Sequence, residues 1–238
     1  MEKPQLMKRF YREVASDCHG AGWRVTLDGR PIKTAGQRPQ IVPTTALADA
    51  LAAEWAQQGE TIDPARFVLR DMADYAIDVV ATGRDEVQRA ILAFAQSDTL
   101  CYSGDPDEAL WAHQQQHWEP LLTAAERRWD IHFVRICGII HRPQPAETLA
   151  RLAVVVAAQD DFTLAALHTL TSLAASLVLG LAALDPDADI SALWAAAHVE
   201  EEWQAELWGH DEEAMTRQAQ RGVTFAAAAQ MVRLVKQG

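Results

Sequence analysis

His113 and His117 are four residues apart in a stretch, Asp107 to Trp129, whose apolar residues recur at helical spacing. Both imidazoles therefore share one helix face, the arrangement of a two-point metal clamp, with Glu119 close by. The zinc-protease signature, however, needs a glutamate directly after the first histidine as general base, and Gln114 stands there. A metal-dependent hydrolase using His113, His117 and a carboxylate is the alternative reading; a polar helix face between Trp111 and Trp118 is the simpler one. There is no phosphate-binding G-x-x-x-x-G-K-[ST] loop, no dinucleotide G-x-G-x-x-G after a strand and no G-x-S-x-G nucleophile elbow. The residues thus point to no catalytic set, no bound metal and no cofactor, and the protein reads as a non-enzyme.

The other chemistry-bearing stretch is VEEEWQAELWGHDEEA, Val199 to Ala214. At about 100° per residue, Ala196, Val199 and Leu207 fall beside Trp203 and form an ordinary core stripe. On the opposite side Trp194, Glu201 and Trp208 recur every seven residues, with Gln204 alongside, which puts a carboxylate between two indoles. Glu200, Glu202 and Glu206 fit a solvated acidic face. Glu201, held between indoles, needs either a raised pKa or a cationic partner, the latter inside the fold or on another protein. Trp208-Gly209 reads as the helix end, and Asp211, Glu212 and Glu213 suit the first turn of the next helix.

Composition narrows the partners. The 238 residues include 8 Trp and are 49% hydrophobic, enough for a sizeable core. Twenty-one Lys and Arg against 33 Asp and Glu leave a net charge of -12, which argues against nucleic acid and anionic membranes and favours basic surfaces. Cys18, Cys101 and Cys137 form no C-x-x-C pair and suit a reducing compartment. The start, MEKPQLMKRFYREV, has neither an apolar signal core nor the acid-poor character of a transit peptide, so a cytoplasmic protein is expected. Phe162 to Leu184 carries no charge, but Asp160, Asp161 and Asp185 flank it and mean hydropathy is -0.12; it reads as a central buried helix, not a membrane span.

These segments need elements to hold them. From Phe10 to about Leu69 short strands alternate with turns, including a hairpin signal at Asp28-Gly29 between Trp23–Leu27 and Ile32–Thr34, a short strand at Ile41–Pro43, and a helix capped by Thr44 or Thr45. Beyond that the spacing predicts helices over 71–81, 85–98, 107–129, 146–158, 162–184, 190–208, 212–221 and 224–235, and a short extended piece at 132–136. The expected fold is α+β: a small β-rich N-terminal domain, residues 1–75, followed by a larger all-helical C-terminal domain, residues 76–238.

Several of these stretches resemble one family. Glu200-Glu201-Glu202-Trp203-Gln204 followed by Trp208-Gly209 resembles the E-E-x-[FYW]-Q-x-x-x-W-G signature of the assembly chaperones for the α subunit of F-type ATP synthase. Phe10-Tyr11-Arg12-Glu13-Val14 is similar to the family's F-Y-[KR]-x-V, and Leu27-Asp28-Gly29-Arg30-Pro31 with Lys33-Thr34 to its L-D-G-R-x-[VI]-K-T. Pro43-Thr44, Leu47-Ala48 and Glu54-Trp55 resemble its P-T-x-x-L-A…E-W segment. Asp98-Thr99-Leu100-Cys101-Tyr102 and Trp118-Glu119-Pro120-Leu121 resemble its D-[LT]-[LI]-C-Y…W-[DE]-P-L run. Ala35, where relatives often carry Pro, and Ser103-Gly104, where they often carry Arg, depart from the pattern.

The resemblance implies a β-rich domain before a helical one. It also implies a monomeric, non-catalytic chaperone that binds the unassembled α subunit, prevents its aggregation and yields to the β subunit. Its setting would be the bacterial cytoplasm, or the mitochondrial matrix for eukaryotic relatives. On that reading Glu201, Glu202, Gln204, Trp194 and Trp208 contact the client: Glu201 takes a cationic group and the indoles cover its apolar rim. The rival is a structural Glu201 paired internally.

Overall fold

A computed structural model describes residues 7–138, 140–209 and 211–237. Its architecture is the expected α+β, and the chain divides into two compact units. One runs to Arg84 and takes in Asp161–Ala165 and the chain from Gln230 onward; the other comprises Asp85–Asp160 and Ala166–Ala229.

In the first unit, β1 (Val14–His19), β2 (Gly22–Leu27) and β3 (Arg30–Pro31) form an antiparallel sheet in that order. The Asp28-Gly29 pair makes the predicted hairpin turn, with φ of 50° and 74°, and Leu27 pairs with Arg30 across it. Two adjacent positive φ values match the twist of the flanking strands, which is why Asp-Gly is selected there. Asp28 Oδ1 also accepts from the backbone of Arg12 at 3.0 Å and Glu13 at 2.8 Å. Those bonds hold its carboxyl below the usual range. Val42 forms no strand of the expected length; it makes a single bridge to Trp23.

Helix α1 (Thr45–Ala56) is capped by the Thr44 hydroxyl, which accepts from Leu47 N at 3.1 Å, and it buries Leu47, Ala48, Leu51 and Trp55 against the sheet. Then come α2 (Val68–Tyr75), a π-helical turn (Ala76–Val80) and α3 (Ala81–Gln96), which is interrupted at Gly83.

Beyond α3 the chain continues with α4 (Ala109–Trp129), α5 (Ala146–Ala157), α6 (Asp161–Ala174), α7 (Leu177–Ala182), α8 (Ile190–Ala196), α9 (Val199–Trp208) and α10 (Glu212–Val235), the first turn of α6 and the end of α10 belonging to the first unit. A parallel pair, β4 (Tyr102–Ser103) and β5 (Ile136–Cys137), accounts for the extended piece expected near Ile136. Among the described residues no helix is long and apolar enough to cross a membrane. The central segment is buried as expected, but it is not one helix. Ala175 has a φ of 49°, Ser176 caps α7 by accepting from Leu179 N at 3.1 Å, and the buried Asp98 carboxylate accepts from Val178 N at 3.0 Å. A side chain from another element has taken the helix's hydrogen bond.

Candidate functional site

Helices α9 and α10 enclose an open groove of about 670 Å³ at the corner between them. The corner follows from the sequence. Glu200, Glu201 and Glu202 occupy the first turn of α9, where the helix dipole favours negative charge. Gly209, with φ 94° and ψ 161°, ends the helix in a conformation essentially restricted to glycine. Asp211 then starts α10, its Oδ1 accepting from Glu213 N at 2.9 Å and Ala214 N at 3.3 Å.

Four of the five residues expected to contact a client line this groove: Glu201, Glu202, Gln204 and Trp208. Glu206 and Asp211 add two further carboxylates, and no Lys, Arg or His stands among the described lining residues. The apolar share comes from Trp208, 78% exposed, and Met215, 51% exposed, with Ala205 and Ala214 between. Exposed indole and thioether surface beside unpaired carboxylates suits a partner that is both cationic and apolar. Met215 and Gln218 were missed in the sequence. Their spacing from Asp211 and Ala214, within the helix expected over 212–221, is the signal that could have found them.

Trp194 is not on the groove. The expected helix over 190–208 breaks at Ala197 and His198, so the seven-residue alignment of Trp194 with Glu201 is lost. The cause is competition for carbonyls. Trp118 Nε1 donates to Ala196 O at 2.8 Å, the oxygen that a continuous helix would offer to the residue four further on. The His198 backbone bonds Ala195 O, while its ring Nδ1 lies 2.9 Å from Trp194 O. Trp194 packs instead on His198, with ring centroids 4.0 Å apart, and on Phe225 of α10 at 5.2 Å. It props α10 and does not clasp Glu201. Glu201 itself is exposed and has no hydrogen bond or ion pair among the described residues, so the internal-partner account of it finds no partner. Leu207, expected in the core stripe, is 58% exposed.

Glu200, expected on the solvated face, is the half-buried member of the run. Gln114, fully buried on α4, donates from Nε2 to Glu200 Oε1 at 2.6 Å and accepts from Gly104 N through Oε1 at 2.8 Å. Burial raises the Glu200 carboxyl, the Gln114 bond opposes that rise and neighbouring Glu201 adds to it. The His113 and His117 rings lie 4.7 Å apart, and His113 also packs 5.2 Å from Trp203. Among the described residues no His, Cys, Asp or Glu completes a set of three around them. What the face does is pack α4 against α9.

The family model of the ATP12 chaperone protein matches residues 8–126. Atp12 from Paracoccus denitrificans is 36% identical, superposes with a TM-score of 0.91, and the match covers 97% of this chain and 99% of that one. An Asp-to-Lys variant of the same organism's Atp12p matches with 36% identity, a TM-score of 0.90 and coverage of 97% and 98%. The Atu1473 protein from Agrobacterium tumefaciens is 38% identical, with a TM-score of 0.92 and coverage of 96% of this chain and 86% of that one. These likenesses place the chain among chaperones. It belongs to the ATP12 chaperone family, the assembly-chaperone family that its motifs resemble.

Proposed function

We propose that this protein is a non-catalytic chaperone of ATP synthase assembly that binds the free α subunit and is displaced by the β subunit. The observation that carries the reading is the groove between α9 and α10: four carboxylates with no cation among the described lining residues, edged by an exposed Trp208 and Met215, in a member of this family. A free α subunit presents an apolar surface destined for its β neighbours, and such a surface promotes wrong association until it is covered. In this reading Glu201, Glu202, Glu206 and Asp211 attract a basic segment at the border of that surface, while Trp208 and Met215 lie on its apolar part. Gln204 hydrogen-bonds at the rim, and Trp194 acts indirectly by supporting α10. The protein works as a monomer in the bacterial cytoplasm, and no nucleotide is needed because covering the surface is the whole task.

The test is suppression of aggregation of the isolated α subunit, followed by light scattering, with release on adding the β subunit. Glu201→Gln and Trp208→Ala change exposed side chains, so both variants are expected to melt within about 0.5 kcal/mol of wild type. Binding is expected to weaken about ten-fold or more for Trp208→Ala, the central aromatic anchor, and several-fold for Glu201→Gln. If wild type fails to keep the α subunit soluble, the reading fails. If both variants protect the client as well as wild type does, the groove is not the contact.

A further inference from the structure

A second cavity, about 590 Å³, lies in the N-terminal unit and has the opposite chemistry. The chain carries a net charge of -12, yet the charged residues lining this cavity are Arg30, Lys33 and Arg70 against a single Asp28. Asp28 already accepts two backbone hydrogen bonds, and Arg70 has Asp71 at 2.7 Å. Arg30 and Lys33 are exposed and form no ion pair within 4.0 Å among the described residues. This leaves two cations facing solvent beside an aromatic wall. Tyr11 sits 5.3 Å from Phe10 and 5.5 Å from Trp55, both edge to face, and Phe10 is 64% exposed at the mouth.

Exposed cations that outnumber the one acid, beside an exposed ring, together describe the complement of an acidic segment with an apolar neighbour. A small anion would use the cations and leave Phe10 uncovered, which favours a peptide.

We propose that this cavity docks an acidic segment of a partner protein, its carboxylate paired with Arg30 and Lys33 and an adjacent aromatic or long aliphatic side chain lying on Phe10 and Tyr11. The site stands apart from the acidic groove in residues and in sign, so either assignment can fail without the other.

The experiment is fluorescence anisotropy of a blocked, fluorescein-labelled peptide, Gly-Phe-Glu-Glu-Leu-Gly, titrated with the full chain at low salt. The same peptide with Gln in place of both Glu serves as the control. The Glu peptide is expected to bind about ten-fold more tightly than the Gln peptide, and the Arg30→Glu, Lys33→Glu double variant to erase that preference without changing the melting temperature. Phe10→Ser is expected to weaken both peptides. Equal binding of the two peptides, no binding of either, or full binding by the double variant would overturn the proposal. Displacement of the peptide by inorganic pyrophosphate, with Phe10→Ser without effect, would assign the cavity to a small anion and overturn it too. So would a wild-type dimer in sedimentation that the double variant dissolves, since the occupant would then be a second copy.

Discussion

Gln114→Leu tests whether one buried amide roots the groove-bearing helix. Gln114 joins Gly104 N at 2.8 Å to Glu200 Oε1 at 2.6 Å, and Glu200 opens α9. Leucine fills much of the same volume and makes neither bond. A neutral hydrogen bond contributes about 0.5–1.5 kcal/mol and one to a charged group about 1.5–3; with Glu200 half-exposed, a loss of about 2–4 kcal/mol is expected at neutral pH. The pH dependence has a definite sign. Glu200 has its folded value raised by burial, so its contribution is present below the ordinary value of 4.5 and is lost as pH rises through the folded one. Removing the Gln114 donor raises the folded value further. The penalty should therefore be largest at pH 7 and shrink by pH 4. Urea unfolding of wild type, Gln114→Leu, Glu200→Ala and the double variant gives the coupling energy, expected to be about 1 kcal/mol or more at pH 7. Coupling below about 0.3 kcal/mol at pH 7, or an equal loss at both pH values, would refute the reasoning.

Two further expectations concern the same unit. Complete burial pushes the Asp98 carboxyl up to about 6, against hydrogen bonds from Ser176, Val178, Leu100 and Leu177. The native state then holds this proton more tightly than the unfolded chain. Its contribution is full below the ordinary 3.8 and is lost as pH rises through about 6. Relative to Asp98→Asn, wild type should lose about 2.4 kcal/mol between pH 4 and pH 7 in parallel urea titrations. A flat difference, or a wild type that gains with pH, would mean that the hydrogen bonds outweigh burial. In α10, a Cβ on Gly222 would lie 2.9 Å from Trp194 Nε1 and 3.2 Å from Cε2. Gly222→Ala should lower stability by about 1 kcal/mol, because displacing a rigid indole exceeds the gain in helix propensity. A more stable variant in thermal melts would show that the indole yields freely.

What could be read from the sequence was whatever chain-local chemistry decides. Asp28-Gly29, the helix cap at Thr44, one of the two expected candidates, and the Trp208-Gly209 stop each depend on residues within a few positions, and each stands where expected. The misreadings share a different cause. Helix periodicity continues through 175–176 and through 197–198, but Asp98 and Trp118, distant in sequence, take the hydrogen bonds that continuity would need. The two helices expected over 212–221 and 224–235 are one, α10, and Gly222 at their junction lets it pass close to Trp194. No count along the chain reveals which distant side chain will compete for a carbonyl, so the alignment of Trp194 with Glu201 could not be tested without the fold.

The acidic run divides once its structural uses are subtracted. Two helix starts explain why acids gather at 200–202 and 211–213, since each dipole favours them. Within those sets, Glu200 is held by Gln114, Asp211 caps α10, and Glu213 pairs with Arg217 one turn on. Glu201, Glu202 and Glu206 have no ion pair among the described residues, and Glu202 and Glu206 stand four apart, where like charges oppose helix formation. A solvated face would account for these three carboxylates, but not for an indole left 78% exposed among them. Acid and aromatic surface are surplus to the fold at the same place, and a cationic, apolar partner relieves both at once. That coincidence, more than the charge run itself, distinguishes this corner from an ordinary helix surface.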